Sequence, residues 1–216
     1  MIREGRVSLN GQIVTTLGVK ADPSIDHIKV DGKRLKFPPA AYFILNKPKG
    51  YLSTMKDPKG RKTVRHLLKD IPIRLYPIGR LDYNSEGLLL FTNDGETAHL
   101  LMHPSGKVKK KYHVKIKGAL SSTEIAKLKK GIMLDGLKTL PMQIKIISRG
   151  KNSWVEITMS EGRKNQIRRM LALFQHPVLK LKRIAYGFLT IRGLQAGQHR
   201  ALKEEEVKRL KKLVSS

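Results

Sequence analysis

Two polar segments of this 216-residue chain hold side chains able to do chemistry. The first is Gly79-Arg80-Leu81-Asp82-Tyr83-Asn84-Ser85-Glu86-Gly87, which follows Pro77 and leads into the apolar run Leu88–Phe91. It sets a carboxylate, Asp82, two positions from a guanidinium, Arg80. A loop aspartate serves either as a turn or cap residue or as a catalytic group. The second segment is Glu161-Gly162-Arg163-Lys164-Asn165-Gln166-Ile167-Arg168-Arg169, a basic turn opening a helix. Helical spacing puts Arg168 and Arg169 three and four positions after Asn165, so both can reach its side chain. Plain phosphate binding accounts for these cations equally well. Residue chemistry alone leaves both pairs of readings open.

Other chemistries fit less well. His99 and His103 are four apart on an expected helix, which is a possible two-ligand face. Leu100 follows His99 where a zinc protease carries Glu, and the chain has no cysteine, so a surface or capping role is expected and no metal. Gly60-Arg61-Lys62-Thr63 lacks a phosphate loop's first glycine, since Met55 stands there, and Arg61 splits the Gly-Lys pair. No dinucleotide fingerprint is present, and no cofactor is expected.

The elements that position these segments carry a heavy positive charge. Forty-four Lys and Arg against 17 Asp and Glu give a net charge of +27. Such a chain seeks polyanions, nucleic acid first. A hydrophobic content of 40% is enough for a core and excludes a disordered basic tail. The longest apolar run, Ala40–Leu45, is far short of a membrane span, and the first residues hold no apolar stretch of signal-peptide type. The absence of cysteine is compatible with a reducing cytoplasm, and a cytoplasmic location is expected; a monomer is expected as well.

Residues 1–36 read as a small unit of short strands with turns at Asn10-Gly11 and Asp31-Gly32, too small to hold a core. Phe37-Pro38-Pro39 is an extended connector to a larger domain, 37–216. There, strands are expected at 41–45, 88–92, 108–117, 143–148, 153–159, 179–184 and 188–191. Helices are expected at 63–69, 96–103, 165–174 and 204–213. A further helix opens at the capping box Ser121-Ser122-Thr123-Glu124 and continues through Ile125, Leu128 and Ile132. On the 108–117 strand, Val108, Lys110, Tyr112, Val114 and Ile116 share one face. Strands outnumber helices without βαβ alternation, so the fold class is α+β, with a mixed, mainly antiparallel sheet and flanking helices.

Gly79-Arg80-Leu81-Asp82 with Ser85–Gly95 resembles the active-site signature of bacterial ribosomal RNA pseudouridine synthases. The likeness is to the RsuA family, and within it to the large-subunit, RluB-like members. Further blocks fall in family order: Leu45–Gly50, Leu101-Met102-His103-Pro104, Lys110-Lys111-Tyr112 and Glu161–Met170. Ile2–Gly11 resembles the second half of a ribosomal-protein-S-four-type RNA-binding module, here starting at the tail of its second helix.

The resemblance implies isomerisation of a specific uridine in ribosomal RNA, the large subunit favoured, to pseudouridine without cofactor, metal or energy source. Asp82 would be the essential carboxylate, as nucleophile or as base. Arg168 would keep it charged, since a nearby cation favours the ionised form. Tyr112 would stack on the flipped base, and its hydroxyl could assist proton removal from the fifth ring carbon. Arg80 would support the loop or a phosphate. Lys47, Arg163 and Gln166 would contact substrate. Leu181 would wall the other side of the base or serve as ordinary strand core. The rival readings are a non-catalytic ribosome-assembly protein, a synthase acting on tRNA or several RNAs, and a DNA-binding regulator.

Overall fold

The computed structural model describes residues 1–22, 25–103 and 106–214. It divides into two units, Met1–Pro39 and Ala40–Ser216. In the first, β1 (Val7–Leu9), β2 (Gln12–Ile13), β3 (Ile28–Val30) and β4 (Lys33–Arg34) form an antiparallel sheet of order β2-β1-β3-β4. The turns fall at Asn10-Gly11 and Asp31-Gly32, all four residues with positive φ, as tight hairpin connections require. No described residue of this unit is buried.

The second unit is built on a nine-stranded sheet. Its elements in chain order are β5 (Tyr42–Lys47), a 3-10 turn (Val64–Leu67), β6 (Tyr76–Ile78), β7 (Glu86–Thr92), α1 (Gly95–Met102), β8 (Lys110–Lys117) and α2 (Ser122–Lys130). A two-stranded hairpin of β9 (Met133–Leu134) and β10 (Leu137–Lys138) follows. Then come β11 (Gln143–Ser148), β12 (Asn152–Met159), α3 (Gln166–Ala172), β13 (Val178–Tyr186), β14 (Leu189–Thr190), β15 (His199–Ala201) and α4 (Glu204–Lys212). The sheet order is β11-β12-β8-β13-β7-β5-β15, with β14 on β13 and β6 on β7. The β13–β7 pair is parallel and the other named pairs are antiparallel. This is the expected α+β class.

Alternation along the central strands supplies two cores. Leu45, Leu89 and Phe91 face a layer built from Val64, Leu68, Leu128, Met170 and Leu171. Ile44, Leu88 and Leu90 face Ala98 and Leu101 of α1 and Leu210 of α4. The capping box at Ser121 forms as expected: Ser121 Oγ accepts from Glu124 N–H at 3.2 Å, and Glu124 Oε2 accepts from Ser121 N–H at 2.7 Å.

Gly87 makes the parallel seam. Its φ is +105°, and a Cβ there would run into the backbone of Arg183, its register partner on β13. Only glycine lets the two strands approach so closely.

The sequence reading misses β6, the β9–β10 hairpin and β15. The expected helix at 63–69 is a single 3-10 turn. Pro104, the last residue of the Leu101-Met102-His103-Pro104 block, lies outside the described residues.

Candidate active site

Asp82 lies in the loop between β6 and β7, and its backbone is fixed from behind. Lys47, on β5, is fully buried, and its Nζ donates to the carbonyls of Pro48 at 3.1 Å, Asp82 at 3.2 Å and Ser85 at 2.8 Å. Ser53 Oγ donates to the Leu81 carbonyl at 2.7 Å and accepts from Leu81 N–H at 3.0 Å. Leu81 itself is buried in the core. The loop is thereby pinned on both sides of Asp82, while the Asp82 side chain stays exposed.

Among the described residues, two groups hydrogen-bond to the carboxylate. Ser85 Oγ donates to Oδ2 at 3.4 Å. The Asn165 amide, turned so that its nitrogen faces the carboxylate, donates to Oδ2 at 2.9 Å and Oδ1 at 3.2 Å. Asn165 is the N-cap of α3 and sits in the left-handed region, φ 50° and ψ 27°, a conformation asparagine tolerates better than most residues. That turn directs its side chain to Asp82 rather than to the arginines of its own helix.

Arg168 stands one step back. Its guanidinium donates to the Asn84 carbonyl at 3.2 Å, to Val178 at 3.3 Å and to Ser85 Oγ at 3.5 Å. Among the described residues it forms no ion pair with Asp82; its contacts are with Ser85 and the loop backbone.

A cavity of about 510 Å³ opens beside Asp82. Tyr112 of β8 and Leu181 of β13 line it, together with Asn165, Arg80, Lys110 and Arg183. Tyr112 is 8% exposed and Leu181 6%, so each shows the cavity only an edge. Arg80 is exposed at the rim.

Three further residues expected to contact substrate hold contacts within the protein; Arg163 and Gln166 also line the cavity, and Lys47 does not. Lys47 is the buried brace already described. Gln166 is 3% exposed; its Nε2 donates to Glu161 and its Oε1 accepts from Arg163 N–H at 2.9 Å. Arg163 donates to the carbonyls of Leu134 at 3.2 Å, Leu137 at 3.1 Å and Lys138 at 2.8 Å, and pairs with Glu161 at 3.3 Å. Arg163 and Gln166 thus tie the β9–β10 hairpin to the start of α3. A sequence shows which side chains are cationic but not which carbonyls will capture them.

The structure also brings in residues to which the sequence assigns no role. Asn165 and Ser85 were in view inside their segments without a role. Lys110 and Arg183 carried a signal: strand alternation puts each on an otherwise apolar face. Burial, together with the Arg183 charge, lowers the Lys110 ammonium from 10.5 to about 8. Burial likewise pulls Lys47 down to about 8, against the attraction of Asp82 and Glu86. Tyr186, whose hydroxyl donates to the Leu101 carbonyl at 2.7 Å, is pushed up to about 12 by burial.

Among the described residues no group of three or more His, Cys, Asp or Glu converges as a metal site would. His103 caps α1 through its backbone N–H, which donates to the His99 carbonyl at 2.9 Å.

Residues 41–173, which include Asp82, Tyr112, Asn165 and Arg168, match the family model of RNA pseudouridylate synthase. The chain belongs to that family. It is therefore an RNA pseudouridine synthase, an isomerase. A ribosomal large subunit pseudouridine synthase B from Bacillus subtilis (strain 168) is 47% identical over 216 residues, covering 99% of this chain and 88% of that protein. An uncharacterized RNA pseudouridine synthase from Aquifex aeolicus (strain VF5) is 45% identical, covering 99% and 87%. The crystal structure of a pseudouridylate synthase superposes with a TM-score of 0.75 at 31% identity, covering 97% of this chain and 90% of the other. The matched segment ends before β13, so the family model is silent on Leu181 and Arg183.

Proposed function

We propose that this synthase converts a uridine of large-subunit ribosomal RNA to pseudouridine, with Asp82 as the essential carboxylate and no cofactor. The observation that carries the reading is the Asp82 carboxylate, aligned by the Asn165 amide at 2.9 and 3.2 Å at a cavity walled by Tyr112 and Leu181. The net charge of +27 suits an RNA substrate, and the Bacillus relative is named for the large subunit.

The target uridine leaves its stack, at a cost of a few kcal/mol. Stacking on Tyr112, at roughly 1–3 kcal/mol, and phosphate contacts offset that cost. The N1–C1′ bond breaks, the ring turns, C5 bonds to C1′, and the C5 proton passes to N1. Substrate and product have the same atoms and oxidation state, so the reaction needs neither a redox partner nor an energy source. Asp82 takes part as nucleophile at C1′ or as base, and both routes use the charged carboxylate. The Tyr112 hydroxyl assists the C5 proton transfer. We read residues 1–36 as part of an S-four-type RNA-binding module that adds to the grip on the RNA.

Carbodiimide mapping of ribosomal RNA from a strain lacking this protein tests the assignment. One pseudouridine absent from the large subunit supports it. An unchanged large-subunit pattern overturns it.

A further inference from the structure

The innermost charged group of the cavity is Arg183, 3% exposed on β13. Its register partner is Tyr112, so the two side chains stand side by side. Its Nε donates to the Leu88 carbonyl at 2.7 Å, and Nη2 has no hydrogen-bond partner. Among the described residues this Nε bond is the one hydrogen bond the side chain makes. Tyr186 flanks the guanidinium, 5.6 Å from ring centroid to Cζ. Lys110 lies against the same ring at 5.8 Å, its Nζ donating to the Ser160 carbonyl at 2.7 Å. A buried guanidinium without a carboxylate partner is costly unless something else completes it.

We propose that the free Nη face of Arg183 receives a carbonyl oxygen of the uracil ring and stabilises the negative charge that gathers there as the base leaves. This rests on the reading of the Asp82 cavity as the reaction site. As the N1–C1′ bond breaks, its electron pair passes to the ring and spreads over O2 and O4. When C5 bonds to C1′ and its proton moves to N1, the charge is discharged. A fixed donor in a dry pocket acts most strongly on charge that is present only in transit. The position selects base over phosphate. Asp82 is exposed at the mouth and Arg183 is buried, so a nucleotide entering base-first brings its ring to Arg183 and leaves its phosphates outside. A donor at this place also favours uracil, whose O4 accepts, over cytosine, whose N4 amino group donates.

The test uses the full chain and transcribed, unmodified large-subunit ribosomal RNA. Arg183→Gln should lower single-turnover kcat by about 10²-fold and leave RNA affinity and its salt dependence unchanged. Arg183→Lys should recover part of the rate. A phosphate role would instead weaken binding and flatten the salt slope, and that result overturns the assignment, as does a rate within threefold of wild type (about 0.65 kcal/mol). Thermal unfolding checks that each variant is folded. Should Arg183→Gln not fold, Arg183→Lys is read on transcripts with part of their uridine replaced by 4-thiouridine, whose sulfur accepts weakly. The wild type should slow on these and the variant should slow less; equal slowing overturns the proposal. Asp82→Asn is run in parallel. If it keeps turnover, the cavity is not the reaction site. If it is inactive while the Arg183 variants stay fast, only the role of Arg183 fails.

Discussion

The Asn165 amide nitrogen meets both carboxylate oxygens of Asp82, at 2.9 and 3.2 Å, and so fixes the plane of the carboxylate across a gap of more than eighty residues of chain. Asn165→Gly keeps the left-handed turn and removes the amide. Loss of one charge-assisted contact, ~1.5–3 kcal/mol, should lower kcat roughly 10- to 100-fold with little change in RNA affinity. Single-turnover pseudouridine formation reads this directly, and an unchanged kcat would remove Asn165 from the site.

Tyr112→Phe preserves the ring and deletes the hydroxyl. Binding should stay within about twofold, because stacking is retained. The rate should fall by about 10²-fold, the lower range for general acid–base assistance. A rate equal to wild type would leave Tyr112 a stacking role alone.

Alkaline pH should move activity and stability in opposite directions. The folded Lys47 and Lys110 lose their protons near pH 8, whereas an unfolded lysine keeps its proton to 10.5. Between those values the unfolded chain binds more protons, so the stability contributed by these two groups rises with pH. The cavity meanwhile loses positive charge, and kcat should decline as pH passes about 8. Lys110→Arg should carry the decline to higher pH. A pH–rate profile identical to wild type would show that Lys110 does not set it.

Gly87→Ala should destabilise the fold by about 3 kcal/mol or more, since a strained φ and a backbone collision act together. Chemical denaturation measures the loss. A shift under about 1 kcal/mol would mean the β7–β13 seam has room to part.

Arg163→Ala should free the β9–β10 hairpin rather than weaken phosphate binding. Amide exchange across Met133–Lys138 should accelerate by about tenfold or more, as expected when hydrogen bonds worth ~1 kcal/mol or more each are removed. The salt slope of RNA binding should not change. A reduced slope with unchanged exchange would return Arg163 to the RNA surface.

Much of this was legible in the sequence, for identifiable reasons. Asp82 and the Asn165 turn lie in polar runs beside strongly patterned strands, and the alternation from Tyr112 to Ile116 correctly marked a buried face. The strands β6, β9, β10 and β15 escaped notice because each has only two or three residues, too few to show a period, and pairing decides them. The partners were harder. The family resemblance pairs Arg168 with Asp82, yet a single left-handed residue swings a neutral amide into that place and leaves Arg168 on Ser85. The resemblance implies Lys47 as a substrate ligand, whereas in the structure three carbonyls surround its ammonium.

The position of β13 makes it the joint of the site. Among the described residues, this strand alone links the β8 side of the sheet, which carries Tyr112, to the β7 side, which follows Asp82. It spans Val178–Tyr186, late in the chain. Pairing of β13 with β7 on one edge and β8 on the other is what brings the Asp82 loop and the Tyr112 ring to one cavity. A change that loosens either edge of β13 would therefore part the two without touching either residue.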